Sequence, residues 1–305
     1  MNLPNSVIIK EVGPRDGLQN EQAFIKTEDK IKWINMLSNT GLSYIEISSF
    51  VHPKWIPQLA DALQVAKEIT RNDKVTYAAL VPNERGLQGA LEAHIDEIAV
   101  FMSASESHNR SNINKSIDET YPVLKPVIQG ALEAGRTVRG YVSTVFGCPY
   151  EGDVAKESVL SVADKLFELG ISELSLGDTI GVANPKQVED ILSDVERHFP
   201  KEKIALHFHD TRGTALANTL VALNMGYSRF DSSLGGLGGC PYAPGASGNL
   251  ATDDLHYMLD KMGISTGIDR TTLLKAAQFI EEKVGKKLPS HSMQAERSSC
   301  SNHKA

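Results

Sequence analysis

His207 and His209 stand two residues apart in the run KIALHFHD. In an extended strand that spacing turns both imidazoles to the same face. They can share a metal ion there, or they can be a pair of buried, hydrogen-bonded histidines, and the motif alone leaves both readings open. A hard anionic oxygen tilts the choice. Asp16, in VGPRDG, supplies one, and Asn249, closing the glycine-rich run GGLGGCPYAPGASGN, can add an amide oxygen. Two imidazoles, one carboxylate and one amide oxygen suit an octahedral Mg2+ or Mn2+ with positions left open for substrate. Zn2+ is less natural, because it favours four-coordinate sites and softer ligands. Arg15 precedes Asp16 and is permanently charged, so it can place donors where an oxyanion develops. Two acids, Glu46 in YIEISSF and Asp178 in ELSLGD, complete the polar set at strand ends.

Cys148 and Cys240 occur in two copies of Gly-Cys-Pro-Tyr. The glycines around Cys240 give its run unusual backbone freedom. A phosphate cradle would want G-x-x-x-x-G-K-[ST] or G-x-G-x-x-G, and neither is present. A mobile flap carrying a cysteine over bound substrate fits better, its closure excluding water from a reactive intermediate. Cys148 reads as a small packed residue and Cys300 as a free thiol. The remaining histidines (His52, His94, His108, His198, His256, His291 and His303) lack ligand-spaced partners and read as surface or capping residues.

Eight short apolar, β-branched runs must position these groups: 7–12, 44–50, 75–80, 98–104, 137–145, 173–178, 203–210 and 229–236. Helical patterns lie between them, one opening with Asn184 as N-cap and Pro185 at the first helical position. Each strand starts roughly 20–40 residues after the last, enough for a strand and a returning helix. The pattern predicts an α/β fold, a (β/α)8 TIM barrel with an additional C-terminal helical segment, against a doubly wound open sheet as rival. In a barrel the chemistry sits at the carboxyl ends of the strands, and five of the eight ends here carry the polar groups just named. Residues 1–290 are expected to form one catalytic domain and 291–305 a polar, flexible tail.

Composition sets the remaining bounds. The chain has 305 residues, 41% hydrophobic and 23% charged, with a net charge of −7. That balance argues for no nucleic acid and no membrane as partner. Three cysteines without framework spacing fit a reducing compartment. No signal-peptide pattern or membrane-length apolar run occurs, so the expected localisation is cytoplasmic.

The strings VGPRDGLQNE, GDTIGVANP, HFHDTRG and GGLGGCPYAPGASGN together resemble those of the hydroxymethylglutaryl-CoA lyase family, over about residues 7 to 290. The Arg-Asp pair and the H-x-H motif are shared with a wider superfamily of barrel metallolyases and condensing enzymes, whereas the cysteine run is similar to the lyase's own signature. The resemblance implies a divalent-cation-dependent retro-Claisen cleavage of 3-hydroxy-3-methylglutaryl-CoA to acetyl-CoA and acetoacetate, as in leucine degradation and ketone-body formation. It implies Asp16, His207, His209 and Asn249 as cation ligands and Arg15 as a substrate contact. Cys240 is then the proton donor, with Glu46 and Asp178 as supporting acids. The partner is a small-molecule acyl-CoA, and the assembly a homo-oligomer, a dimer by resemblance. Two alternatives stand beside this reading: a condensing enzyme joining an acyl-CoA to a 2-oxo acid, and a catalytically inactive binding barrel.

Overall fold

Eight parallel strands close on themselves in chain order: β1 (Ile8–Glu11), β2 (Tyr44–Ser49), β3 (Thr76–Leu80), β4 (Glu97–Ser103), β5 (Thr137–Ser143), β6 (Glu173–Asp178), β7 (Ile204–Phe208) and β8 (Arg229–Ser232). The barrel closes where β1 lies beside β8, with Ile8 opposite Arg229 and Glu11 opposite Ser232. The expected TIM barrel is therefore the architecture, and the open sheet is excluded. The computed structural model describes residues 3–240 and 243–302, and for 240, 243–247 and 299–302 the backbone alone.

Strands β2, β6 and β7 are buried along their whole length, as expected when helices cover the outside and side chains fill the inside. Most of the helices bury an apolar stripe. In Pro185–Val195 it comprises Val188, Ile191, Leu192 and Val195. Asn184 caps that helix as its sequence predicts, its Oδ1 accepting the Gln187 amide at 3.0 Å, which satisfies one of the free N–H groups of the first turn. The lower interior is polar instead of apolar. Arg139 donates to Glu173 at 2.8 Å, and Lys10 reaches Glu173 at 2.7 Å. Such charges persist away from water only because each has a partner.

The C-terminal end differs from expectation. Residues His291–Asn302 form a helix where a flexible tail was anticipated. Its start is held by a neighbour: the Asp254 carboxylate accepts the His291 and Ser292 amides at 2.9 and 2.6 Å. Met293, 1% exposed, seals the contact. Polar composition alone could not reveal this, because the capping acid is remote in sequence. Among the described residues, no helix is long and apolar enough to cross a membrane.

Candidate active site

Strand β1 ends in a wide turn, Gly13–Gly17, in which the amides of Arg15, Asp16 and Gly17 all donate to the Val12 carbonyl, at 3.1, 2.7 and 3.2 Å. The tight winding presents two successive side chains, Arg15 and Asp16, to the barrel mouth, where they pair with each other. Arg15 also donates to Glu46 at 2.8 Å, and its guanidinium lies 5.3 Å from the centre of the Tyr141 ring. Burial works against the Arg15 charge, but Glu46 and Asp16 outweigh it and hold its pKa above the ordinary value. Glu46 is fully buried and accepts a second bond from the Tyr141 hydroxyl at 2.9 Å.

His207 and His209 project from the end of β7 with ring centres 5.2 Å apart. Asp16 completes a cluster with them, one ligand atom of each lying within 4.8 Å of the others. Burial would raise the Asp16 pKa, yet Arg15 and the two histidines lower it. His209 is pushed down to about 3, first by burial and then by His207. An ionised carboxylate and a neutral imidazole are the forms that ligate a cation. His207 behaves oppositely. Burial disfavours its charge, but the hydrogen bond to Asp231 and the Asp16 charge raise its pKa.

Asn249 reaches the cluster because its backbone runs beside the end of β7. The Asp210 amide donates to Gly248 O at 2.6 Å and the Leu250 amide to Phe208 O at 3.0 Å. Glycine is needed here for a second close approach, to the stretch after β8: a β-carbon on Gly248 would stand 1.5 Å from the Gly238 carbonyl oxygen. The Asn249 Nδ2 donates to Asp16 Oδ2 at 2.9 Å and to Leu237 O at 3.2 Å. Its Oδ1 is buried without a hydrogen bond, as is His209 Nδ1. Buried polar atoms ordinarily have partners, so two orphans beside a carboxylate fit a site built for a cation.

Asp178 stands apart from this cluster. Its two oxygens accept the Val182 and Ala183 amides at 2.9 and 3.1 Å, which ties down the loop after β6, and burial lifts its pKa to about 6. Cys148 is buried as expected. Its sulfur lies 3.0 Å from Ser105 Oγ and accepts the amides of Tyr150 and Glu151. Cys240 ends β9 (Gly239–Cys240), which pairs antiparallel with β10 (Ala243–Ser247). Its side chain lies outside the described residues, as does that of Cys300. His108 and His256 are buried and not on the surface, at 3% and 5% exposure.

A family model described as HMGL-like matches residues 6–280. The chain belongs to the HMGL-like family. This HMGL-like chain is 64% identical over 299 residues to a hydroxymethylglutaryl-CoA lyase of Bacillus subtilis, with 98% of this chain and 100% of that one aligned. A crystal structure of the Bacillus subtilis HMG-CoA lyase matches its fold with a TM-score of 0.96, covering 97% of this chain and 100% of that one at 64% identity. A further HMG-CoA lyase, from Acinetobacter baumannii and in complex with coenzyme A and 3-methylmalate, matches with a TM-score of 0.91 at 41% identity over 95% of each chain.

The barrel of this HMGL-like chain also holds buried polar residues that sequence reasoning passed over. Asp231 on β8 accepts Arg139 Nη2 at 2.6 Å, Ser175 Oγ at 2.8 Å and His207 Nδ1 at 3.3 Å. Tyr141 links Glu46 to Arg139, whose Nη1 donates to its hydroxyl at 2.7 Å. Glu11 gathers the amides of Gly13 and Leu234 and the Thr252 hydroxyl. A signal was available: Arg139 and Tyr141 alternate in TVRGYVS, and an arginine central in a barrel strand must find an anion. Which anion, only the fold decides.

Proposed function

We propose that this protein cleaves 3-hydroxy-3-methylglutaryl-CoA to acetyl-CoA and acetoacetate and needs a divalent cation to do so. One observation carries the reading: Arg15, Asp16, His207, His209 and Asn249, from three separate chain segments, converge on one mouth, and Asn249 Oδ1 and His209 Nδ1 are buried there without a hydrogen bond. The relatives' names supply the substrate, and the coenzyme A bound to the Acinetobacter enzyme supports an acyl-CoA here.

Asp16, His207, His209 and Asn249 would hold the cation, and this oxygen-and-imidazole set favours Mg2+ or Mn2+. When bound, the cation supplies a Lewis acid that lowers the pKa of the substrate's C3 hydroxyl and fixes its orientation. A general base at the barrel mouth takes the hydroxyl proton, the C2–C3 bond breaks, and the electron pair collects on the thioester as an enolate. Arg15 acts on that charge. Glu46 and Asp16 hold two of its nitrogens, while its Nε is buried without a hydrogen bond. A preorganised donor of this kind stabilises the enolate oxygen with no reorganisation at the moment of bond cleavage. Glu46 aims the guanidinium, and Asp178 positions the loop after β6. Cys240, on the glycine-rich flap, delivers the proton to the enolate carbon. The enzyme works in the cytoplasm as a homodimer.

Incubating chelator-treated protein with 3-hydroxy-3-methylglutaryl-CoA, with and without added Mg2+, tests the reading. Acetyl-CoA and acetoacetate should accumulate only with the cation. Consumption of acetyl-CoA with a 2-oxo acid, and no cleavage, would overturn it in favour of the condensing alternative.

A further inference from the structure

His207 has two ring nitrogens, and a cation needs the lone pair of the one that faces Asp16. Nε2 is that nitrogen, 3.9 Å from Asp16 Oδ2. Its Nδ1 lies 3.3 Å from Asp231 Oδ2. Because Asp231 and His207 are opposite one another in the β7–β8 register, the contact is fixed by the sheet and not by a loop. Asp231 is itself immobilised. Its Oδ1 takes a charged donor, Arg139 Nη2, at 2.6 Å, and its Oδ2 also takes Ser175 Oγ at 2.8 Å. Arg139 is pinned in turn by Glu173 Oε1 at 2.8 Å and by the Tyr141 hydroxyl at 2.7 Å. Every member is buried.

We infer that Asp231 is a positioning residue that sets the tautomer of His207. A carboxylate has no proton to give, so its Oδ2 can only accept from Nδ1, and the ring proton is kept on Nδ1. Nε2 is thereby left as a bare lone pair aimed into the cluster. Such outer partners of a ligating histidine fix both ring orientation and tautomer. Ser175 and Arg139 serve the same end, because each occupies an acceptor position that could otherwise let the carboxylate rotate. The inference rests on the reading of His207 as a cation ligand.

Asparagine at position 231 inverts the arrangement by a route that can be written atom by atom. Arg139 offers only donors, so the amide oxygen must face it and the NH2 group must face His207. That NH2 donates to Nδ1, Nδ1 becomes the acceptor, and the ring proton moves to Nε2, where it blocks ligation.

Two measurements on the full chain decide the matter. In Mg2+-loaded protein labelled with 15N-histidine, the His207 proton should sit on Nδ1 in the wild type and on Nε2 in Asp231→Asn. Direct Mn2+ titration, reading free Mn2+ by electron paramagnetic resonance, should give a Kd for Asp231→Asn weaker by about 10–100-fold. Ser175→Ala removes a neighbour but no acceptor from His207 and should keep the wild-type tautomer. Asp231→Asn with wild-type Kd and its proton still on Nδ1 would overturn the inference and leave the ligand reading standing. His207→Ala with wild-type Mn2+ affinity would overturn the ligand reading and this inference with it. If Asp231→Asn does not fold, the wild-type spectrum alone decides: a proton on Nε2 sinks the assignment and one on Nδ1 supports it.

Discussion

Arg15 is gripped from two sides, by Glu46 at 2.8 Å and by Asp16, and an ammonium, whose donors all radiate from one nitrogen, cannot span both carboxylates as the planar guanidinium fork does. Arg15→Lys should therefore lower kcat by roughly 10²–10³ and leave Mn2+ affinity nearly unchanged. Steady-state kinetics beside a metal titration checks this, and a raised KM with intact kcat would mean that Arg15 only anchors substrate. The two Gly-Cys-Pro-Tyr sequences give a second contrast. A serine hydroxyl is a far weaker acid than a thiol of pKa about 8.5, so Cys240→Ser should fold and bind substrate but lose most of its kcat. Cys148→Ser should keep most of its turnover, because the Cys148 sulfur is committed to the Tyr150 and Glu151 amides. Assaying both variants together would expose a reversed assignment. The residues that sequence alone yields are those with a motif: H-x-H, Arg-Asp, the cysteine run. Asp231, Tyr141 and Glu11 carry none, since their meaning lies in partners on other elements, 24, 95 and 241 positions away.

The eight strands follow from short runs at helix-spanning intervals, six of them containing β-branched residues, because strands covered on both faces are largely buried. The element the sequence hides is the helix His291–Asn302, whose own composition is polar and whose cap comes from Asp254. Asp254→Ala strips the His291 and Ser292 amides of their acceptor. It should destabilise the protein by about 1–3 kcal/mol, and amide exchange within 291–302 should quicken ahead of the barrel strands. Exchange unchanged in that segment would show that Met293 packing, and not the acid, holds the helix.

At the scale of the whole molecule, the buried carboxyl groups in which desolvation outweighs their partners give stability a pH dependence of one sign. Glu11 is fully buried, and desolvation raises its pKa from 4.5 to about 7 against three hydrogen bonds that pull the other way. A raised carboxyl pKa means the folded chain holds a proton that the unfolded chain has released. Stability should thus fall as pH rises from about 4.5 to 7 and level off above, a contribution of up to about 3 kcal/mol from this one group. Asp178 and Asp253, each raised to about 6, work in the same direction. Glu11→Gln should flatten the decline between pH 5 and 8 in urea unfolding. An unaltered slope would place its origin in the other acids.

Of the proposed cation ligands, Asp16 comes from the turn after the first barrel strand, and His207, His209 and Asn249 come from the end of the seventh strand and the loop beyond the eighth. The ligands are therefore divided between the two halves of the chain. Were the polypeptide cut in the connection between β4 and β5, one fragment would carry a lone carboxylate and the other two imidazoles and an amide, and neither could assemble the set. Tight cation binding would then be a property of the reunited fragments alone, so that Mn2+ affinity serves as a direct reporter of barrel closure without any attached label.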